Sequence, residues 1–341
     1  MENQTLKSFA VVVALLGLVL GAAHSSAQSK LPVRKGGPAA AGHMSQSTIQ
    51  PVQALVPGTT SYTTFSYIDF PQSPYTYATG INSGAASSKM LIVGEYGPEL
   101  IAGFSLQVEG KNGMTYAFDP VAYPKSTNQG AFGVNDLGQI VGEYATASAT
   151  NGYLYSKGKF TSIVVPFSGA VATEAFDLNN AGDIVGPFEY SSGVWQGFLL
   201  SGGVYTLLAY PGSNYTIAEA LNNNGDIVGY YNDSSGNQHA FLLSGGTYTS
   251  IDFPGATATY ASGINDSGDI VGGYCLTTEC VTDYDGQQGY VLSGGVFTTI
   301  NVPAAAATAP IDINNNGVIV GSYSDPGAAL TSTSHSFIAF P

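Results

Sequence analysis

The sequence predicts an all-β fold, a six-bladed β-propeller, from a repeat period, four short strands in each period and the phase of the two termini. Ile-Val-Gly occurs six times, at 92–94, 140–142, 184–186, 227–229, 270–272 and 319–321. Successive isoleucines are 48, 44, 43, 43 and 49 residues apart. A near-constant period of this size is typical of repeat architectures.

Each period divides into four short strand-like segments. In one copy these are AFLLS at 240–244, TYTSIDF at 247–253, the segment ending in YASGIN at Asn265, and DIVGGY at 269–274. They are rich in β-branched and aromatic residues and too short for helices. Four strands in about 45 residues match one propeller blade.

The connections alternate in character. A tight Ser-Gly-Gly joins the first and second strands, as at 201–203, 244–246 and 293–295, and an Asn-x-x-Gly turn joins the third and fourth, as at 222–225. Both patterns are typical of hairpin turns. The other two connections are longer and vary. An up-and-down unit therefore has a turn face, with the tight turns, and a variable-loop face, where we expect any ligand to bind.

The phase of the termini predicts a closed ring. Residues 62–70 (YTTFSYIDF) match a second strand, and residues 336–340 (SFIAF) match a first strand. Because first and second strands are hairpin partners, we expect these two segments to pair and remove the exposed edges of an open array. An open solenoid is the alternative. The small residues around Gly263 favour the third strand at the axis and the second strand outermost.

The domain organisation follows from the first 58 residues. Lys7, the apolar segment from Phe9 to Leu20 and the small residues before Gln28 indicate a signal peptide at 1–27. Residues 28–58 are rich in Pro, Gly, Ala and Ser and indicate a flexible leader. The propeller then spans 59–341. We expect a secreted or periplasmic bacterial protein, without membrane insertion.

Charge limits the partner classes. Arg34 is the only arginine, no lysine follows Lys159, and fifteen acidic residues but no basic ones follow Phe160. Such a surface repels phosphate backbones, so nucleic acid is not an expected partner. We expect an acidic, soluble monomer.

The two cysteines, Cys275 and Cys280, are separated by four residues. In an oxidising compartment they predict a local disulfide, which would contribute at most about 2 kcal/mol. A metal site would need more ligands than two thiols.

The repeats resemble the HAF-repeat family of extracellular bacterial proteins. The resemblance rests on Gln238-His239-Ala240-Phe241 combined with segments such as GINDSGDIVGGY, and it covers most of the chain beyond the leader. His-Ala-Phe is complete at 239–241 and relaxed at 151–153, 196–198, 288–290 and 335–337. The resemblance implies that the protein is exported and built from repeats. It implies no activity and no catalytic residue, because the family has no established common activity.

The sequence contains no clear catalytic motif. His239 and His335 occupy a repeat position that elsewhere holds Asn or Gln, which indicates a hydrogen-bonding role. The absence of arginine after Arg34 excludes sialidase-type chemistry in its usual form. Glycoside hydrolysis needs two suitably spaced carboxylates. The acidic residues assigned to variable loops supply candidates without singling out a pair: Glu174, Glu189, Glu219, Asp283 and Asp285.

Calcium is the one cofactor that a motif suggests. Asp312, Asn314 and Asn316 fit the opening D-x-N-x-N-G of a calcium loop, and Asp177 occupies the position of Asp312 in another repeat. Val320 stands where a further acid normally follows. We therefore interpret the motif as turn chemistry and expect no cofactor, with calcium as the alternative.

Aromatic and acidic residues of the variable loops are the candidate ligand contacts. Rings with a polar tip among carboxylates suit recognition of a glycan or a surface protein, and the alternative for each ring is that it packs inward. The sequence thus predicts a non-catalytic binding or scaffold module, with a carbohydrate-active enzyme as the alternative. The candidate residues are Tyr75, Tyr77, Tyr123, Tyr190, Trp195, Tyr215, Tyr260, Tyr284, Asp283 and Asp285.

Overall fold

A computed structural model shows an all-β propeller. The structure describes residues 62, 64–70, 73, 75–84, 89–97, 102–109, 115–126, 128–278, 280, 286–326 and 334–341. The signal peptide and leader predicted at 1–58 lie outside these residues. The strands follow the six sequence repeats, which are called repeats 1 to 6 below.

The strands are short, as the segments of the sequence predict. Repeat 1 contains β2 (Thr76–Ile81), β3 (Lys89–Tyr96), β4 (Ala102–Glu109) and β5 (Thr115–Val121). Repeat 2 contains β6 (Asn128–Val134), β7 (Ile140–Ala145), β8 (Thr150–Ser156) and β9 (Lys159–Ile163). Repeat 3 contains β10 (Ala170–Thr173), β11 (Asp177–Leu178), β12 (Ile184–Tyr190), β13 (Trp195–Ser201) and β14 (Val204–Leu208).

The second half of the chain continues the pattern. Repeat 4 contains β15 (Thr216–Leu221), β16 (Ile227–Asn232), β17 (Gln238–Ser244) and β18 (Thr247–Ile251). Repeat 5 contains β19 (Ala258–Ile264), β20 (Ile270–Cys275), β21 (Gln288–Ser293) and β22 (Val296–Ile300). Repeat 6 contains β23 (Ala307–Ile313), β24 (Ile319–Ser324) and β25 (Ser334–Phe340), and β1 (Thr64–Ile68) comes from the N-terminal side.

Neighbouring strands of a repeat pair antiparallel in chain order. Repeats 1, 4 and 5 each form a separate four-stranded sheet. Repeats 2 and 3 belong to one nine-stranded sheet, in which they are joined by the single parallel pair of Ala172 with Thr150.

The remaining four-stranded sheet combines the two ends of the described chain. Its order is β1-β25-β24-β23, and Thr64 lies opposite Phe340 in the antiparallel pair of β1 and β25. One N-terminal strand thus completes a sheet whose other three strands are C-terminal.

Each repeat as given above begins with the third strand of the sequence period. This strand lies nearest the axis, and we call the set of six the inner strands. They are β2, β6, β11, β15, β19 and β23. Each inner strand contacts the next one along the chain, and β23 contacts β2. The second strand lies at the opposite edge of each sheet and is more exposed, as in β18.

The glycine of each Ile-Val-Gly allows a close approach between backbones. A Cβ on Gly229 would lie 2.0 Å from the carbonyl oxygen of Ile217 on the inner strand. The equivalent glycines of the other repeats meet an inner-strand carbonyl oxygen at 2.0 to 2.3 Å. A side chain at this position would push the inner strand away from its neighbour, which explains why glycine recurs there.

The first asparagine of each Asn-x-x-Gly turn has a second role, which the hairpin interpretation missed. Asn222 accepts bonds from its own turn through Oδ1 and donates through Nδ2 to the carbonyl oxygen of Asn265 in the next repeat. The same Nδ2 donation links each repeat to the next, ending with Asn314 to Asn82 at 3.0 Å; the six donors are Asn82, Asn135, Asn179, Asn222, Asn265 and Asn314.

Two further features concern the predicted disulfide and the membrane. Cys275 and Cys280 form a disulfide with their Cα atoms 5.5 Å apart. Among the described residues no helix has the length and apolar character needed to cross a membrane.

Candidate binding site

The register of the strands places the two kinds of connection at opposite ends of each sheet. Leu221 lies opposite Ile227, and Ile227 lies opposite Leu243, so the Asn-x-x-Gly and Ser-Gly-Gly turns share one end. The loops that connect the second to the third strand, and the fourth to the first, share the other end. The inner strands therefore run from the variable-loop face towards the turn face.

Hydrogen bonds hold the loops of the variable-loop face in place. Thr216 Oγ1 accepts the backbone N–H of Tyr210 at 3.0 Å, and Thr259 Oγ1 accepts that of Phe253 at 3.0 Å. Thr76, Thr173 and Thr308 make the same contact in their repeats. In five repeats a threonine at or shortly before the start of the inner strand thus fixes the preceding loop.

The inner strands surround a cavity of about 90 Å³ on the axis. One residue of each inner strand or its flank lines it: Thr79, Phe132, Phe176, Glu219, Ser262 and Ile311. Five of them, all except Phe176, are the extra residues of β-bulges. Because a bulge re-aims a side chain, these side chains face the axis rather than the neighbouring sheet.

Two tyrosines line the end of the cavity nearest the variable loops. Tyr77 and Tyr260 precede the bulges of β2 and β19 by two residues, and both are half-buried. The Tyr260 hydroxyl accepts a hydrogen bond from Gln287 Nε2 at 2.6 Å. Tyr75 packs edge to face on Tyr77, with ring centroids 5.6 Å apart. This end of the cavity therefore offers aromatic surface with polar tips.

Two aspartates form the opposite end of the cavity. Asp177 accepts the N–H groups of Leu178 and Leu221, and Asp312 accepts those of Ile313 and Ile81. Each carboxylate thereby bridges to the next repeat. Burial raises the pKa of Asp312 to about 6, although these hydrogen bonds oppose the shift. A second, smaller cavity of about 60 Å³ lies beyond them towards the turn face.

Five glutamates of repeats 1 to 4 form an electrostatic cluster, in which their carboxyl groups act on one another, and one of them, Glu219, lines the cavity. They are Glu95, Glu143, Glu174, Glu189 and Glu219. Burial raises the pKa of each. Their mutual repulsion raises the pKa values of Glu95, Glu143, Glu174 and Glu219 further, and that of Glu174 reaches about 8.

Several carboxyl oxygens of this cluster have no hydrogen-bond partner among the described residues. They are Glu95 Oε1, Glu143 Oε2 and Glu219 Oε1. Glu95 and Glu143 are only 2% and 1% exposed. The carboxylate of Glu95 occupies the space above Gly130, where a Cβ would lie 2.1 Å from Glu95 Oε1. Buried carboxyl groups normally have hydrogen-bond partners, so this arrangement is unusual and lowers the stability of the folded state.

The locations of the acids differ from the sequence interpretation. Glu219 lies on β15 and Glu189 on β12, and Glu174 lies between β10 and β11, so these three are not loop-tip residues. Glu95 and Glu143 were not candidates, because they occur within ordinary-looking IVGEY copies. Only the arrangement of neighbouring repeats brings them to the cluster. Asp283, Tyr284 and Asp285 lie outside the described residues.

The structure brings together five of the predicted aromatic residues, with Tyr75 packed on Tyr77. Tyr77 and Tyr260 line the cavity. Tyr215 and Trp195 pack, together with Tyr260, against an apolar cluster that contains Phe132 and Phe176 of the cavity wall.

Tyr123 and Tyr190 lie in packed aromatic groups within the sheets. Tyr123 stacks on Tyr144 with centroids 3.6 Å apart, and Tyr190 packs edge to face on Phe188 at 4.9 Å. The Tyr123 stack recurs in three other repeats, as Phe70–Tyr96, Tyr210–Tyr231 and Phe253–Tyr274. A recurring stack of this kind has a packing role.

The candidate calcium residues are engaged in other contacts. Asn314 and Asn316 donate through Nδ2 to the carbonyl oxygens of Asn82 and Ser83, and Asn314 Oδ1 accepts two backbone N–H groups of its turn. In the part of the chain that is described, no group of three or more His, Cys, Asp or Glu residues could hold a metal ion.

The two histidines make equivalent contacts. His239 Nδ1 lies 2.7 Å from Asp252 Oδ1, and His335 Nδ1 lies 3.0 Å from Asp69 Oδ1. Both rings stack on a tyrosine, Tyr231 or Tyr323. Neither residue is among those that line the axial cavity.

Comparison with known proteins finds similarity in fold and no similarity in sequence family. No family model matches the sequence, and no curated protein matches it. Among solved structures, a protein with a provisional TolB assignment from Agrobacterium tumefaciens is similar with a TM-score of 0.51 and 12% identity. That match covers 79% of this chain and 92% of the other.

Two carbohydrate-related structures are also similar. A sialidase from Trypanosoma rangeli matches with a TM-score of 0.50 and 10% identity, over 84% of this chain and 60% of the sialidase chain. A fungal lectin from Aleuria aurantia, described as a six-bladed β-propeller with a fucose recognition mode, has a TM-score of 0.45 and 12% identity, covering 75% of this chain and 91% of the lectin. At these identities the similarity concerns the fold.

Proposed function

We propose that this protein is a binding module for a glycan, which it holds at the end of the axial cavity nearest the variable loops. The observation that carries the proposal is the lining of the cavity. Tyr77 and Tyr260 offer ring faces, and Glu219 offers a carboxyl group. The Thr79 and Ser262 hydroxyl groups donate to backbone carbonyl oxygens and can still accept a hydrogen bond. Sugars present apolar C–H faces and hydroxyl groups, so aromatic rings flanked by hydrogen-bonding groups suit them.

A glycan array with the mature protein tests this function. Tyr260→Ala should weaken binding of the best saccharide by at least about tenfold, because it removes a ring at the cavity entrance. The matched control is Tyr205→Ala, which removes a half-buried tyrosine on the outermost strand β14 and should leave affinity unchanged. Equal effects of both substitutions, or no saccharide bound by the parent protein, would refute the proposal.

A carbohydrate-active enzyme at the same site is the second candidate function. The favouring observation is the pKa of Glu174, which burial and the neighbouring Glu189 raise to about 8, the property of a general acid. Release of reducing sugar from the bound polysaccharide, abolished by Glu174→Gln, would support the enzyme. Retention of the saccharide without turnover supports the module.

The proposed site requires a complete ring of six blades, which we also propose. In this interpretation the nine-stranded sheet is two blades that touch at Ala172 and Thr150. The asparagine bonds between successive repeats, which end with Asn314 to Asn82, support it, as does the pairing of β1 with β25.

Export and family membership complete the proposal. A HAF-repeat protein with a signal peptide at 1–27 and a leader at 28–58 would act outside the cytoplasm as a monomer, meeting a cell-surface or extracellular glycan. N-terminal sequencing of the exported protein should begin at Gln28, and light scattering should give the mass of one chain. The absence of a cofactor stays a prediction, with calcium at Asp312, Asn314 and Asn316 as the alternative, and calorimetric titration with calcium tests it.

A further inference from the structure

We infer that the glycan held at the axial cavity carries a protonated amine, as in an oligosaccharide of amino sugars, and that Glu219 and the glutamates beside it are its counter-charge. This inference rests on the proposed glycan-binding function and names the chemical class of the ligand.

The geometry supplies the first argument. Glu219 is the bulge residue of β15, so its carboxyl group lies on the cavity wall among rings from other repeats. One of its oxygens has no hydrogen-bond partner among the described residues. Phe132 lines the same cavity, and a Cβ on Gly130 would touch both the Phe132 ring and Glu95 Oε1. The carboxyl cluster therefore extends directly behind the aromatic wall.

The charge balance supplies the second argument. The neighbours that act on these carboxyl groups are other carboxyl groups, with Glu174 common to Glu95, Glu143 and Glu219. Lys125, Lys157 and Lys159 are exposed, and no basic residue except histidine follows them. Burial and mutual repulsion favour the protonated form of these carboxyl groups, whereas an ammonium group beside one of them would favour its ionised form. A cationic ligand would thus supply a positive charge that no described neighbour of these groups provides.

The aromatic rings supply the third argument. Tyr77, Phe132, Phe176 and Tyr260 line one cavity with Glu219. Ring faces attract ammonium groups, and carboxylates nearby strengthen the attraction. Such a cavity rejects anionic sugars, because a second negative charge beside the glutamates would have no compensation. Neutral sugars satisfy the rings but leave the unpartnered carboxyl oxygens without a charged partner.

A matched pair of ligands tests the inference without altering the protein. Calorimetry at mildly acidic pH compares the tetrasaccharide of glucosamine with that of N-acetylglucosamine, which differ in carrying a protonated amine or a neutral acetamide on each sugar. The amine form should bind at least about tenfold more tightly. Equal or weaker binding of the amine form would overturn the inference while leaving glycan binding intact. Failure of both tetrasaccharides together with a negative glycan array would overturn the proposed function as well.

Substitution locates the counter-charge. Glu219→Gln keeps the size of the side chain and should remove most of the preference for the amine form over the acetylated form. Asp119→Asn is the control, because Asp119 is an exposed carboxylate on β5. If both substitutions lower the preference equally, the amine is attracted by the general acidity of the surface, and the axial assignment is wrong. A preference that survives Glu219→Gln in full also contradicts it.

Discussion

At the residue scale, the first asparagine of each turn is the most informative position. Asn222 is 3% exposed and satisfies three backbone groups, two N–H groups of its own turn and the carbonyl oxygen of Asn265. One side chain thus shapes a hairpin and links two repeats. Its recurrence in the sequence reflects both tasks.

Replacing Asn222 with alanine should lower the free energy of unfolding by about 2 to 3 kcal/mol, because buried backbone groups lose their partners. Urea denaturation measures the change. Asn237→Ala is the control, since Asn237 is exposed and donates to Asp233 within one loop. A loss at Asn222 no larger than that at Asn237 would show that the bonds between repeats contribute little.

At the element scale, the sheets depend on the contact between the fourth strand and the inner strand. The glycine of Ile-Val-Gly lets β16 approach β15 until a Cβ on Gly229 would meet the carbonyl oxygen of Ile217 at 2.0 Å. No flexible side chain can yield there, because the obstacle is backbone. The inner strand would have to move, together with the cavity wall that it carries.

Gly229→Ala should therefore destabilise the protein by several kcal/mol, which is more than a change in backbone conformational preference alone would cost. Gly225→Ala provides the comparison, because Gly225 has a φ of +84° but nothing within 4 Å of an added Cβ. Its cost should be about 1 to 2 kcal/mol from backbone strain. Thermal and urea denaturation of both variants measure the difference, and equal losses would contradict the close-approach explanation.

At the scale of the whole molecule, the buried acids determine how stability varies with pH. The pKa of Glu174 is about 8 and that of Asp312 about 6 in the folded protein, above the ordinary values of the unfolded chain. The folded state therefore binds more protons than the unfolded state over this range. Stability is greatest below the unfolded pKa values and falls as pH rises towards 8.

The free energy of unfolding should accordingly fall by at least about 1 kcal/mol between pH 5 and pH 8. Urea denaturation across this range measures it. Glu143→Gln, which removes one member of the cluster, should flatten the profile, whereas Asp119→Asn should leave its slope unchanged. A stability that rises from pH 5 to pH 8 would show that the acids are not buried as described.

The sequence predicted the propeller class and the strand types because both depend on local patterns that repeat every 43 to 49 residues. It did not predict the acid cluster. Glu95 and Glu143 each stand between a glycine and a tyrosine in the sequence, and their burial depends on neighbouring repeats. The asparagine bonds were missed for the same reason, since each partner lies a whole repeat away. The residue at the inner-strand bulge differs between repeats, from Thr79 in β2 to Glu219 in β15. This variation was the one signal of the site that the sequence offered.

We propose that the ligand binds at the variable-loop end of the axis. Hydrogen exchange of the mature protein, with and without the best saccharide from the array, tests this location. We expect slower exchange in the loop at 210–215 and at the start of β15 and β19, with no change in the turn at 222–225. Protection confined to the Asn-x-x-Gly turns, or to the outer strands, would contradict it.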